Sequence, residues 1–230
     1  MTDLLGGRKV QRHAPIREQV ADILREAIVE MRLEPGQLVV EGQLCEMTSA
    51  SRPSVREALR QLQAEGLVES HNGRGTVVAV VTPELAAQVY QLRAELEGFA
   101  TVLFVANASD QQRAELRAAV AEVERAVHED GSTNAIIAAK NQVYQVLFTG
   151  AGNPILHQMI GVLQRRVTQL RALTLAQPGR PETSVTEIKA ILSAIEANDP
   201  QAARLAAAHH VEQAFNTVMG TLTAREDDRA

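Results

Sequence analysis

Arg52, Arg56 and Arg60 recur at i, i+4 and i+8 within Ser51–Val68 (SRPSVREALRQLQAEGLV), so a helix here would carry three guanidinium groups along one face. Val55, Leu59 and Leu62 fall on another face at i, i+4 and i+7. Ser51 can cap such a helix by accepting from a free amide of the first turn, where Pro53 is tolerated because no donor is needed. A short helix that buries an aliphatic edge and shows arginine from its N-terminal turn suits the DNA major groove, where a guanidinium donates two parallel hydrogen bonds to guanine. Arg60, toward the C-terminal end, complements the helix dipole or pairs with Glu57.

Such a helix needs a frame, and the flanking sequence supplies one. Pro15–Met31 carries Ile16, Val20, Ile23, Leu24, Ala27, Ile28 and Met31 at helical spacing and stops at Leu33-Glu-Pro-Gly36. Glu41–Met47 is long enough for a second helix, and Thr48–Ser51 has the length of a helix-turn-helix turn. Gly66 ends the third helix, Leu67-Val68 begins a strand, His71–Gly75 (HNGRG) makes a hairpin tip and Thr76–Val81 returns. Three helices and a hairpin make a winged helix-turn-helix over residues 15–81. The tail at 1–14 reads as flexible; its basic run Gly7–His13 would track phosphates or remain a disordered end.

A winged helix takes only about 80 residues, and 230 are present, so a second domain is expected. The net charge is −5, and ten basic residues against eleven acidic ones in the first 80 leave no bulk positive charge. Basic groups must therefore be concentrated in space, and non-specific affinity for nucleic acid should be modest and salt-sensitive. A single cysteine, Cys45, allows no intrachain disulfide and no thiolate cluster. No apolar signal core and no bilayer-length apolar run stand in the sequence, which points to the cytoplasm. Nor does any set of nucleophile, base and stabiliser suggest an enzyme.

From Pro83 the pattern becomes almost wholly helical. Leu85, Val89, Leu92, Leu96, Phe99 and Leu103 alternate steps of four and three, the seam spacing of packed helices. Further helices are predicted over Ser109–Glu129, Ser132–Thr149, Asn153–Leu175, Glu182–Ala197 and Pro200–Leu222, separated by Gly- and Pro-rich breaks. The fold class is mainly α: an N-terminal winged helix-turn-helix with a small β-hairpin wing, then an antiparallel all-α bundle of about six helices over 82–223. Residues 224–230 read as a flexible tail.

The N-terminal third resembles the DNA-binding domain of the GntR family of bacterial transcriptional regulators. The resemblance rests on Leu33-Glu-Pro-Gly-Gln-Leu38, Glu41, Leu44, Ser51-Arg52, Val55-Arg-Glu-Ala-Leu59, Glu65-Gly-Leu67 and Gly73-Arg-Gly75. It implies base and phosphate contact by Arg52, Ser54 and Arg56, with Asn72, Gly73 and Arg74 reaching the minor groove or backbone from the wing. The chain departs from the pattern at Ser49, where many relatives carry glycine. It departs also at Pro53-Ser54, where they carry Thr-Pro, and at Gly42, where some carry arginine.

The C-terminal part resembles the FCD effector-binding domain of the FadR-like branch, and six helices bring it closer to the VanR-like subgroup. The residues concerned are Leu92-Arg-Ala-Glu-Leu-Glu97, Gly152-Asn-Pro154, Glu187, Ile191, Ala194-Ile195 and Asp199-Pro-Gln-Ala-Ala203 leading to His210. Many such domains hold a divalent metal through one aspartate and three histidines, whose positions fall here on Asn141, Gln145, Ile188 and His210. Neutral amides are poor ligands and isoleucine is none, so no metal and no cofactor are expected. The resemblance instead implies a pocket in which Asn141, Gln145 and His210 hydrogen-bond an effector beside an apolar wall from Ile188.

Arg93 has two readings: an anchor for an anionic effector, since relatives place this arginine toward the cavity, or an exposed i, i+4 partner of Glu97. Lys140 falls amid the stripe Ile136, Val143, Tyr144 and Leu147, where it would snorkel outward or meet a ligand. Arg165, Arg166 and Arg171 would line the cavity or, the reading favoured for arginines, form a solvated face. The expected function is a homodimeric, ligand-responsive regulator of double-stranded operator DNA, a repressor released by a carboxylate metabolite. The alternative is a constitutive DNA-binding regulator that has lost effector and metal sensing.

Overall fold

The computed structural model describes residues 15–29, 32–71 and 75–227. Helix α1 (Ile16–Val29) turns Val20, Ala21, Leu24 and Ile28 inward, the face its spacing predicts. These side chains meet Leu44 of α2 (Glu41–Thr48) and Val55, Leu59 and Leu62 of α3 (Arg52–Ala64) in one apolar core. Ser51 caps α3, its Oγ accepting from the Ser54 amide at 3.4 Å. Between α2 and α3 the chain passes through Ser49 at φ 54°, a left-handed conformation that glycine adopts without steric cost.

The wing is wider than a hairpin. Strands β2 (Val68–His71) and β3 (Gly75–Val78) pair antiparallel, with Val68 opposite Val78. An unpredicted two-residue strand, β1 (Leu38–Val39), pairs with the other edge of β3 and gives the order β1-β3-β2. Two residues are too few for strand alternation to register in the sequence. The return strand ends at Val78 rather than Val81, and the chain leads directly to Thr82, which caps the next helix.

The second domain is a bundle of six α-helices among the described residues: α4 (Pro83–Asn107), α5 (Asp110–Arg125), α6 (Thr133–Gly150), α7 (Pro154–Leu175), α8 (Arg180–Glu196) and α9 (Pro200–Asp227). Helix α5 continues as a single π-helical turn, Ala126–Asp130. Thr82, Ser109, Ser132 and Asn153 each accept a first-turn amide, and the four helices they cap start within one residue of the predicted positions. Helix α9 runs four residues past position 223, where a tail was expected; Ala224 and Arg225 are good helix formers and carry it on.

Helix α4 packs along α9 and also against α6 and α7. At the end of α6 a Cβ on Gly150 would stand 2.3 Å from the Phe104 ring, so only glycine permits this closeness to α4. Where the domains meet, Gly66, Val68, Val81, Leu85, Val89 and Leu170 line a pocket of about 390 Å³. Leu170 also packs beside Val89 and Tyr90 in the core of the bundle.

Candidate functional site

The open face of α3 carries Arg52, Arg56 and Arg60, all exposed, as the arginine spacing requires. Arg56 does not hang free: its Nε donates to both carboxylate oxygens of Glu41, at 2.9 and 3.2 Å. Arg60 pairs with Glu57 at 2.5 Å, the local partner expected of it. Ser54 is half-buried, with its Oγ 3.0 Å from that of Ser51. Asn72, Gly73 and Arg74 lie outside the described residues.

The bundle holds a second concentration of charge, and this one is internal. Arg93 of α4, Lys140 of α6, Arg171 of α7 and Arg180 of α8 are at most 6% exposed and line a common cavity with Tyr90, Thr174 and His210. Two carboxylates stand behind this lining. Glu97 accepts from Arg93 Nε at 2.8 Å, and Glu187 accepts from both terminal nitrogens of Arg180, at 3.0 and 2.9 Å. His210 Nδ1 lies 2.5 Å from Glu187. Lys140 has Ser184 Oγ at 2.7 Å, and Arg171 has Asn141 Oδ1 at 2.8 Å and the Tyr144 ring beneath it; neither has a carboxylate partner among the described residues.

Four cations against two carboxylates leave the cluster short of negative charge. Burial, then the charges of Arg171, Arg180 and Arg93, push the Lys140 ammonium well below the ordinary lysine value. Burial and then Lys140 lower His210 to about 4, so it is neutral at pH 7 and donates Nδ1–H to Glu187. Burial followed by Arg93 also depresses Arg171. Burial opposes ionisation of Glu97, but Arg93 outweighs it and holds the carboxylate charged.

Five buried polar atoms of the cluster lack a hydrogen-bond partner among the described residues: Tyr90 Oη, Arg93 Nη1, Arg171 Nε and Nη2, and Arg180 Nε. Native proteins satisfy nearly all such groups, so this concentration leaves an unusual number of buried donors open to a polar partner. The void itself is about 10 Å³, the space of a single water at most.

Sequence-predicted site residues are only partly assembled. Arg93 and His210 line the cavity, and Asn141 reaches it through Arg171. Gln145 is exposed and donates to Thr149 at 3.4 Å, and Ile188 packs into the apolar core, so neither is brought to the cavity lining. Arg93 does pair with Glu97, but the pair is buried rather than exposed. Arg171, expected on a solvated face, is 4% exposed; the apolar neighbours Leu170, Ala172, Leu173 and Leu175 were the signal for that. Arg180, Glu187 and Ser184 gave no such signal, since Gly179-Arg-Pro181 reads as a turn.

A divalent metal does not fit here. Of the four positions aligned with metal ligands, Ile188 has no donor atom, Gln145 points to Thr149, Asn141 accepts from Arg171 and His210 is engaged by Glu187. The adjacent cations would repel a further positive charge. Among the described residues no three His, Cys, Asp or Glu side chains are grouped to hold one.

A winged helix-turn-helix joined to a helical bundle is the architecture of a DNA-binding regulator of transcription, and the family matches assign this chain to that class. Residues 16–78 match the family model described as "Bacterial regulatory proteins, gntR family", and residues 88–213 match the FCD domain. The chain belongs to the gntR family of regulators with an FCD domain. It is 30% identical over 197 residues to a "Probable D-xylose utilization operon transcriptional repressor" of Paenarthrobacter nicotinovorans, covering 85% of each chain. It is 24% identical to the "Uncharacterized HTH-type transcriptional regulator YdhC" of Bacillus subtilis, over 90% of this chain and 91% of that one. The solved structure of Escherichia coli McbR/YncC shares the fold, with a TM-score of 0.77, 23% identity and coverage of 91% of this chain and 99% of that chain. Among the described residues no helix is long and apolar enough to cross a membrane.

Proposed function

We propose that the protein is a homodimeric cytoplasmic repressor whose hold on operator DNA is released when a small organic acid enters the cavity of the bundle. The observation that carries this is the set of unpartnered guanidinium nitrogens on Arg93, Arg171 and Arg180, which a carboxylate would satisfy. Arg93 is the anchor; Arg171 presents Asn141 behind it. Recognition of DNA falls to Arg52, Ser54 and Arg56 on α3, with Asn72, Gly73 and Arg74 contributing from the wing.

The path from cavity to DNA is short. Helix α4 carries Tyr90, Arg93 and Glu97 and begins at Pro83, five positions after the last residue of β3. Arg171 lines the cavity while its neighbour Leu170 lines the pocket between the domains. An acid that draws Arg93 and Arg171 together would shift α4 against α7 and re-aim the winged heads, to the extent that it binds one arrangement more tightly. Pairing of two copies is supported by Leu92 and Phe99, 53% and 43% exposed on the seam of α4. A two-fold dimer then sets two recognition helices on a palindromic site.

Selection of bound duplexes from a random pool tests the first half of this, and a palindromic consensus is the expected result. Anisotropy on that duplex with a panel of organic acids tests the second. Release by one acid, lost in Arg93→Ala while affinity without acid is retained, is expected. Affinity indifferent to every acid would favour a constitutive regulator.

A further inference from the structure

The charge balance of the cavity says more about the ligand than its sign. Arg93 is neutralised by Glu97 and Arg180 by Glu187, each through a buried ion pair. Arg171 and Lys140 remain. Each is buried, and each has a neutral partner where a carboxylate would be needed: Asn141 for Arg171, Ser184 for Lys140. An uncompensated buried cation is costly, and two of them on one small cavity repel each other as well.

We propose that the cavity between α4, α6, α7, α8 and α9 takes a compact dianion, a phosphate monoester or a dicarboxylate, whose two charges neutralise Arg171 and Lys140. The inference rests on the effector reading above and narrows it from an acid of any charge to one carrying two. A monoanion would leave one of the two cations unpaired in the closed bundle. A neutral sugar would leave both. The free nitrogens of Arg93, Arg171 and Arg180 supply donors from three helices, enough to surround several acceptor oxygens. Burial and then the cations around it lower the Lys140 pKa, and a dianion beside it raises it again, so binding favours the protonated ammonium and tightens as pH falls. The groups that face Lys140 and set this response are Arg93 and Tyr90 of α4, Arg171 of α7, Arg180 and Glu187 of α8 and His210 of α9.

Matched probes separate charge from shape: succinate against butyrate, and glycerol 3-phosphate against glycerol. Thermal melting and titration calorimetry on the full chain, without DNA, should show at least one dianion binding about tenfold or more tighter than its partner, which distinguishes the dicarboxylate from the phosphoryl source. Calorimetry in buffers of different ionisation enthalpy should register proton uptake. Arg171→Met should raise the melting temperature of the ligand-free protein, by removing a buried unpaired charge, and abolish the advantage of the dianion; Lys140→Met should abolish the proton uptake. Neither dianion binding more tightly than its matched partner, or no binding by either dianion at millimolar concentration, overturns the proposal. So does an Arg171→Met protein that keeps the full dianion preference. A dianion that binds without releasing DNA leaves this inference standing and removes the effector reading; release by monoanions alone does the reverse.

Discussion

Arg180 and Glu187 face each other across two turns of α8 as a buried fork, both guanidinium termini meeting both carboxylate oxygens while His210 shares one of them. Pairs of this kind are fragile to the loss of one member, because the survivor is left buried and charged. Glu187→Gln should therefore destabilise the protein by about 3–5 kcal/mol, read from denaturant unfolding. An effect below 1 kcal/mol, on the order of an exposed pair, would show that the fork is not buried in solution.

Arg52→Ala and Arg56→Ala should each weaken operator binding by about 1–3 kcal/mol and relax preference at one base pair per half-site. Arg60→Ala, its side chain committed to Glu57, should leave base preference unchanged. Binding measured on single-base variants of the operator decides between base contact and phosphate contact at each position.

Acid should unfold the bundle early. The depressed pKa of His210 means that the unfolded chain binds a proton between pH 6.5 and about 4 that the folded one does not, so stability falls as pH drops through that window. Lys140, depressed likewise, acts with the same sign at higher pH. His210→Gln should flatten the acid limb of a plot of melting temperature against pH; an unchanged limb would place the sensitivity elsewhere.

Leu92→Glu with Phe99→Glu should convert a micromolar dimer to a monomer in sedimentation and reduce operator affinity, while the far-ultraviolet spectrum stays helical. Wild-type protein that sediments as a monomer both free and on DNA would end the case for pairing through α4.

Chelation should change neither melting temperature nor operator affinity, because a structural metal stabilises the fold that holds it and its loss must register. About one tightly held metal per chain by elemental analysis would contradict the placement of Asn141, Gln145 and Ile188.

The recognition helix was fully legible because each of its devices is local: the Ser51 cap, the aliphatic edge and the arginine face all lie within one run. The helices of the bundle were legible for the same reason. The cavity was not, since it is assembled by packing. Lys140 looked out of place among Ile136, Val143 and Tyr144, yet its answer, Ser184, lies 44 positions on. Arg171 was misread because arginine is usually exposed and its burial depends on how α7 rolls against α4 and α6. Ser49 carried a different clue: the glycine of its relatives marks the left-handed turn, which this chain forms with a side chain in place.

A cavity of about 10 Å³ cannot admit even inorganic phosphate as it stands. Entry of the proposed dianion would have to wait for the helices around the cavity to part, which would set a clock on the response. At low ligand concentration the observed rate of association should rise in proportion, and at high concentration it should level off at the rate of opening. The regulator would then answer a sudden surge of metabolite no faster than a modest one, its timing fixed by the helices rather than by the supply.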